Sequence, residues 1–147
     1  MTDNSPLPVG SFTFVLHGAG GDLAKRKIIP ALAHLAKSGY FAAESKIIFA
    51  QREALSPAEA LAQVDAFLQA AGDEAARQSI SALLPFLQTL QVVLGTAQSC
   101  VAMASAVANC PEPVVHYAAL PSSRFIDLIN CIPTVRDPAR LRLVLEK

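Results

Sequence analysis

The chain has 147 residues, carries 12 lysines and arginines against 12 acidic residues, and is 52% hydrophobic with only 16% charged side chains. This length fits one domain with a full core, and the balanced charge gives no global pull toward nucleic acid or an acidic membrane surface. No apolar run reaches the roughly 18–20 residues of a membrane span, and the low charge content marks a domain buried on several sides or one lacking a partner surface.

Residues 1–11 read as a disordered tail without the positive and apolar regions of a signal peptide, and 12–147 as the domain. The first strand is expected over Phe12–His17. It runs into Gly18-Ala19-Gly20-Gly21-Asp22-Leu23-Ala24-Lys25-Arg26-Lys27, a glycine turn that opens a helix from about Asp22 to Ser38 with Gly39 at C′. Pro30 lies inside that helix, which predicts a kink. A strand, a glycine turn and a helix start make an anion site, because unpaired N–H groups at the helix N-terminus face the ligand. The three cations oppose the macrodipole there, and a bound phosphate would relieve that conflict.

A second strand is expected over Lys46–Ala50. Ser56-Pro57-Ala58-Glu59 is a capping box with proline at N1, and the helix it starts ends at Gly72. A further helix through Ile80, Leu83, Leu84 and Leu87 leads to a third strand at Leu90–Leu94. Then come an alanine-rich helix over Thr96–Asn109, a strand at Val114–Ala118, a short helix at Ser122–Cys131, a Pro133–Pro138 loop and a strand at Leu141–Leu145. Strands apolar on both faces, alternating with helices, predict an α/β fold: a doubly wound parallel sheet, Rossmann-like, single-domain, with about five strands.

Cys100, Cys110 and Cys131 have no CxxC spacing and are odd in number, so three buried free thiols in a reducing compartment are expected. His17, His34 and His116 have no metal-ligand spacing, and no metal is assigned; His116 reads as a packed or edge histidine. Localisation in the cytoplasm follows from the absent signal peptide and the thiols.

The end of the second strand bears on the coenzyme. An acid there suits a ribose 2′-hydroxyl, and an arginine suits a 2′-phosphate. Arg52 lies nearer the strand end than Glu53 and favours NADP over NAD; its other reading is a solvated loop cation. Tyr117, at the carboxyl end of the fourth strand, either reaches the coenzyme or belongs to the core. Oxidising an alcohol needs a positioned base, and no Asp–His, Ser–x–x–x–Lys or Cys–His arrangement occurs at a useful strand end.

These residues resemble the N-terminal coenzyme domain of glucose-6-phosphate dehydrogenase. That family's GxxGDLAxRKxxPxL motif is matched by Gly18, Gly21, Asp22, Leu23, Ala24, Arg26, Lys27, Pro30 and Leu32. Its arginine after the second strand is matched by Arg52, its YxALP strand by Tyr117, Ala119, Leu120 and Pro121, and the start of its Glu-Lys-Pro by Glu146-Lys147. The resemblance implies that Gly18, Ala19, Gly20, Gly21, Asp22, Leu23, Ala24 and Lys25 bind the pyrophosphate and adenosine ribose of NADP, and that Arg52 holds the 2′-phosphate. It places Tyr117, Leu120, Pro121 and Lys147 at the coenzyme, and Lys25 and Lys147 beside glucose 6-phosphate. Gly20 replaces the family's usual Ser or Thr, which removes a hydroxyl donor, and Gln88–Ala97 departs from the pattern.

The function this implies is the coenzyme-binding part of an enzyme oxidising glucose 6-phosphate to 6-phosphogluconolactone in the pentose phosphate pathway. The family's catalytic Asp–His region is missing, so a truncated oxidoreductase is expected, with a homo-oligomer or the missing domain as partner. The alternatives are a non-catalytic nucleotide-binding module acting through a partner protein, and a degenerate domain that has lost its ligand.

Overall fold

The computed structural model describes residues 9–132 and 138–146. Most of the expected tail, most of the Pro133–Pro138 loop and Lys147 lie outside the described residues. Five parallel strands form one sheet: β1 Thr13–His17, β2 Lys46–Gln51, β3 Leu87–Gln91, β4 Val114–Ala118 and β5 Leu141–Leu145. Their spatial order is β3-β2-β1-β4-β5, so the chain leaves β1 in one direction and returns after β3 to build in the other. That reversal opens a crevice at the carboxyl ends of β1 and β4, where such sheets take ligands.

Successive side chains of β1 point to opposite faces of the sheet. Leu16 packs with Ile47 and Phe49 under α1 (Ile29–Lys37) and α2 (Pro57–Ala71). Val15 packs with Ile48, Ala50, Met103 and Leu128 under α4 (Ala97–Val107) and α5 (Phe125–Cys131). Each fully enclosed aliphatic or aromatic side chain contributes about 1.5–3 kcal/mol. The edge strands β3 and β5 are half exposed, unlike the expectation of strands apolar on both faces.

The helix after the glycine turn is continuous, but its early part, Ala24–Ile28, is π-wound. Ile29 N–H bonds Ala24 O, five residues back, and Pro30 follows at the start of α1. A π turn is one way a helix absorbs the missing N–H and the ring of a proline. Gly39 sits at the helix end with φ +81°. The Ser56–Glu59 capping box and left-handed Gly72 bound α2 as expected.

Two further expectations are corrected. The third strand begins at Leu87, three residues before the expected Leu90, because the preceding segment is a short α3 (Glu74–Arg77) and a 3-10 turn over Ile80–Phe86. Pro85 stands in that turn, and the chain extends from Leu87. The cysteines are not all free: Cys100 on α4 and Cys131 on α5 form a disulfide, leaving Cys110 as the free thiol. The two helices pack side by side, which brings together residues 31 apart in sequence.

Candidate functional site

Gly18 leaves β1 with φ +78°, a left-handed backbone that a side chain rarely adopts. Its N–H donates to Ala50 O at 3.0 Å, and Ala119 N–H on the other side donates to His17 O at 3.0 Å. A Cβ on Gly18 would stand 2.3 Å from Ala119 O. The turn therefore lies wedged between the ends of β2 and β4, and only glycine fits it. Gly21 N–H folds back onto Gly18 O, and the helix begins.

Among the described residues, no backbone or side-chain acceptor takes the N–H of Gly20, Asp22, Leu23 or Ala24, and no side chain caps the helix. Unmet N–H groups at a helix start attract an anion. This is the observation by which the loop fits a phosphate-bearing coenzyme.

The loop forms one wall of a cavity of about 590 Å³. Gly18, Gly20, Gly21 and Lys25 line that wall. Gln51, Arg52 and Glu53 from the end of β2 line another, with Gln63 of α2 behind them. The facing side is Val92, Val93 and Leu94 together with Leu120, Pro121 and Arg124. Within the described residues neither the Lys25 ammonium nor the Arg52 guanidinium has an acceptor, whereas Glu53 accepts from Gln63 at 3.2 Å and Arg124 is paired with Asp127 at 3.1 Å. Two unneutralised cations flank a cradle of free N–H groups, which is the charge pattern of a polyanion site.

The expected site residues therefore divide. Gly18, Gly20, Gly21, Lys25, Arg52, Leu120 and Pro121 come together on the cavity. Ala19 and Ala24 are enclosed in the core below the turn and serve it by packing. Asp22 is exposed and Leu23 half-buried at the helix start. The basic trio separates: Lys25 faces the cavity, Arg26 lies over the Phe67 ring at 5.9 Å, and Lys27 is exposed. Tyr117 lies on the α1 side of the sheet, stacked on Phe14 at 5.9 Å, with its hydroxyl bonded to the Glu146 carboxylate. Burial first, then Glu146, pushes the Tyr117 phenol up to about 12. Thr96 caps α4 by accepting from Ser99 N–H.

Among the cavity residues outside the expected set, one carries a titratable ring buried at the end of β1. His17, at the end of β1, lines the cavity and bonds His116 of β4, Nε2 to Nδ1, at 3.0 Å. Both side chains are buried. Burial, and for His17 the neighbouring His116, lower these imidazoles to about 3 for His17 and about 4 for His116, so both are neutral near pH 7. The signal for the pairing lies in the strand order and not in the local sequence: once β1 lies beside β4 with His17 opposite Ala118, His116 is its same-face diagonal neighbour.

The sequence pattern of the family described as glucose-6-phosphate dehydrogenase, NAD binding domain, matches residues 15–147. A curated relative, glucose-6-phosphate 1-dehydrogenase of Rhizobium meliloti (strain 1021), is 46% identical over 50 residues, which are 34% of this chain and 10% of that protein. The fold is shared with the crystal structure of glucose-6-phosphate 1-dehydrogenase from Mycobacterium avium, at a TM-score of 0.77 and 20% identity over 93% of this chain and 30% of that one. It is also shared with a glucose-6-phosphate dehydrogenase in complex with glucose-6-phosphate, at a TM-score of 0.69 and 24% identity over 93% and 31%. The chain thus spans under a third of the length of these proteins.

Proposed function

The chain belongs to the family of glucose-6-phosphate dehydrogenase NAD binding domains, and on that premise we propose that it forms the coenzyme-holding part of an NADP-dependent glucose-6-phosphate dehydrogenase. The observation that carries this reading is the cradle itself. Gly18 is wedged at positive φ, the N–H groups of Gly20, Asp22, Leu23 and Ala24 meet no acceptor among the described residues, and Lys25 and Arg52 on the same cavity have no partner among them. The coenzyme pyrophosphate lies on the helix start against Gly18–Lys25, and Arg52 takes the 2′-phosphate as a charge-assisted pair. Leu120 and Pro121 bound the nicotinamide half. Lys25 and Lys147 serve the sugar phosphate, while Tyr117 acts through Glu146 rather than by touching the coenzyme. When bound, NADP supplies the hydride acceptor; what these residues do is seat and orient it.

Calorimetric titration with NADP tests this reading. Saturable binding at micromolar or weaker affinity is expected, with a weaker response to NAD. Absence of NADP binding by the folded chain would overturn it.

A second reading, a nucleotide-binding module or oligomer acting through an apolar face, draws on α4, α5 and β5. Val101 and Ile126 are 66% and 67% exposed there, beside half-exposed Ile129, Val144 and Leu145. Sedimentation as a clean monomer that binds no other protein would argue against that reading.

A further inference from the structure

We propose that His17 contacts the ligand of this cavity directly, donating a hydrogen bond from Nδ1 to a coenzyme phosphate oxygen, with His116 fixing the tautomer that allows it. The inference rests on the reading of the cavity as a coenzyme site.

The two rings share one hydrogen bond, between His17 Nε2 and His116 Nδ1 at 3.0 Å. Both imidazoles are neutral near pH 7, so each carries one N–H and a single proton lies between them. His116 Nε2 is the one buried side-chain nitrogen or oxygen among the described residues that lacks a partner. His17 Nδ1 also makes no hydrogen bond within the described chain, yet it is not among the enclosed atoms. His17 lines the cavity immediately before Gly18, and Nδ1 is the ring nitrogen left to meet what the glycine cradle holds.

Two tautomers satisfy the shared bond. In one, His17 Nε2 donates, His17 Nδ1 is an acceptor toward the cavity, and His116 is left with an enclosed N–H. In the other, His116 Nδ1 donates, His17 Nδ1 carries the proton toward the cavity, and His116 keeps only an enclosed lone pair. Buried N–H groups are left unpaired more rarely than buried acceptors, and a phosphate oxygen accepts but cannot donate. Both considerations select the second tautomer. His116 is then a positioning residue and His17 a binding residue.

Long-range 1H–15N spectra of the histidine rings in the intact chain, with and without saturating NADP, read the tautomers without any substitution. The expected result with NADP is a protonated, shifted His17 Nδ1 and a protonated His116 Nδ1. Alongside, His17→Phe should weaken NADP about 10- to 150-fold, the range for a lost hydrogen bond to a charged group, and His17→Asn, which offers an amide donor, should recover part of that loss. If NADP shifts the Gly18 and Gly21 amides while His17 Nδ1 stays unprotonated or unshifted, this inference is overturned and the coenzyme reading stands. If NADP moves neither the glycines nor His17, both fall.

Discussion

Gly18 and Ala119 approach so closely that any side chain on Gly18 would meet the Ala119 carbonyl oxygen, with a Cβ only 2.3 Å away. This contact ties the exit of β1 to the exit of β4 and fixes the turn on which the cavity depends. Gly18→Ala must bear a left-handed backbone, about 1–2 kcal/mol, and a clash with backbone that cannot rotate aside. A loss of about 3 kcal/mol or more is expected in urea unfolding, and an unchanged midpoint would contradict the contact.

Gly20 gives the opposite result. Its Cβ would meet only the Gln51 side-chain oxygen, at 3.4 Å, and its φ is not positive. Gly20→Ser should therefore keep stability within about 1 kcal/mol of the parent and tighten NADP by supplying a hydroxyl donor beside the free N–H groups. Weaker NADP binding by a stably folded Gly20→Ser chain would count against phosphate lying on this loop.

The His17–His116 pair makes stability depend on pH in a definite direction. Both groups sit well below 6.5 in the folded chain, at about 3 and about 4. From pH 6.5 down to 5 the unfolded chain gains protons that the folded chain refuses, so stability falls as pH falls, by up to about 1.4 kcal/mol per unit for each histidine. Denaturant midpoints at pH 7, 6 and 5 measure the slope. The double variant His17→Phe, His116→Phe should flatten it over that window, and an equal slope in both chains would assign the effect elsewhere. Asp65, lowered mainly by its hydrogen bond from Arg77, adds its own loss only at more acidic pH.

The Cys100–Cys131 bridge closes a loop of 31 residues' separation. Loop-closure entropy for that length corresponds to about 3–4 kcal/mol. Dithiothreitol should lower the unfolding midpoint accordingly, and thiol titration of the unreduced, denatured chain should count one group, Cys110. Three titratable thiols would contradict the bridge.

These outcomes also mark how far the residues could be read before folding. Val114–Ala118 and Leu141–Leu145 agree with the structure at both ends, because short apolar runs bounded by Pro or Arg leave no competing register. The third strand departs from the expected Leu90–Leu94, which is the more apolar run. β3 is an edge strand, and its backbone pairing with Ile47–Gln51 tolerates Gln88, Thr89 and Gln91. The cradle was legible since glycine spacing and helix polarity are local. The disulfide and the histidine pair were not: each joins residues far apart in sequence, and only the packing of α4 on α5 and of β1 beside β4 brings them together.

Arg52 stands on the cavity wall with no acceptor among the described residues, and the proposed function has it read the 2′-phosphate of NADP. Calorimetric titration of the parent chain and Arg52→Ala with NADP and with NAD tests it most directly. The substitution is expected to weaken NADP by about 1–3 kcal/mol, the worth of a charge-assisted pair, and to leave NAD nearly unchanged. Equal losses for both coenzymes, or none for either, would contradict it.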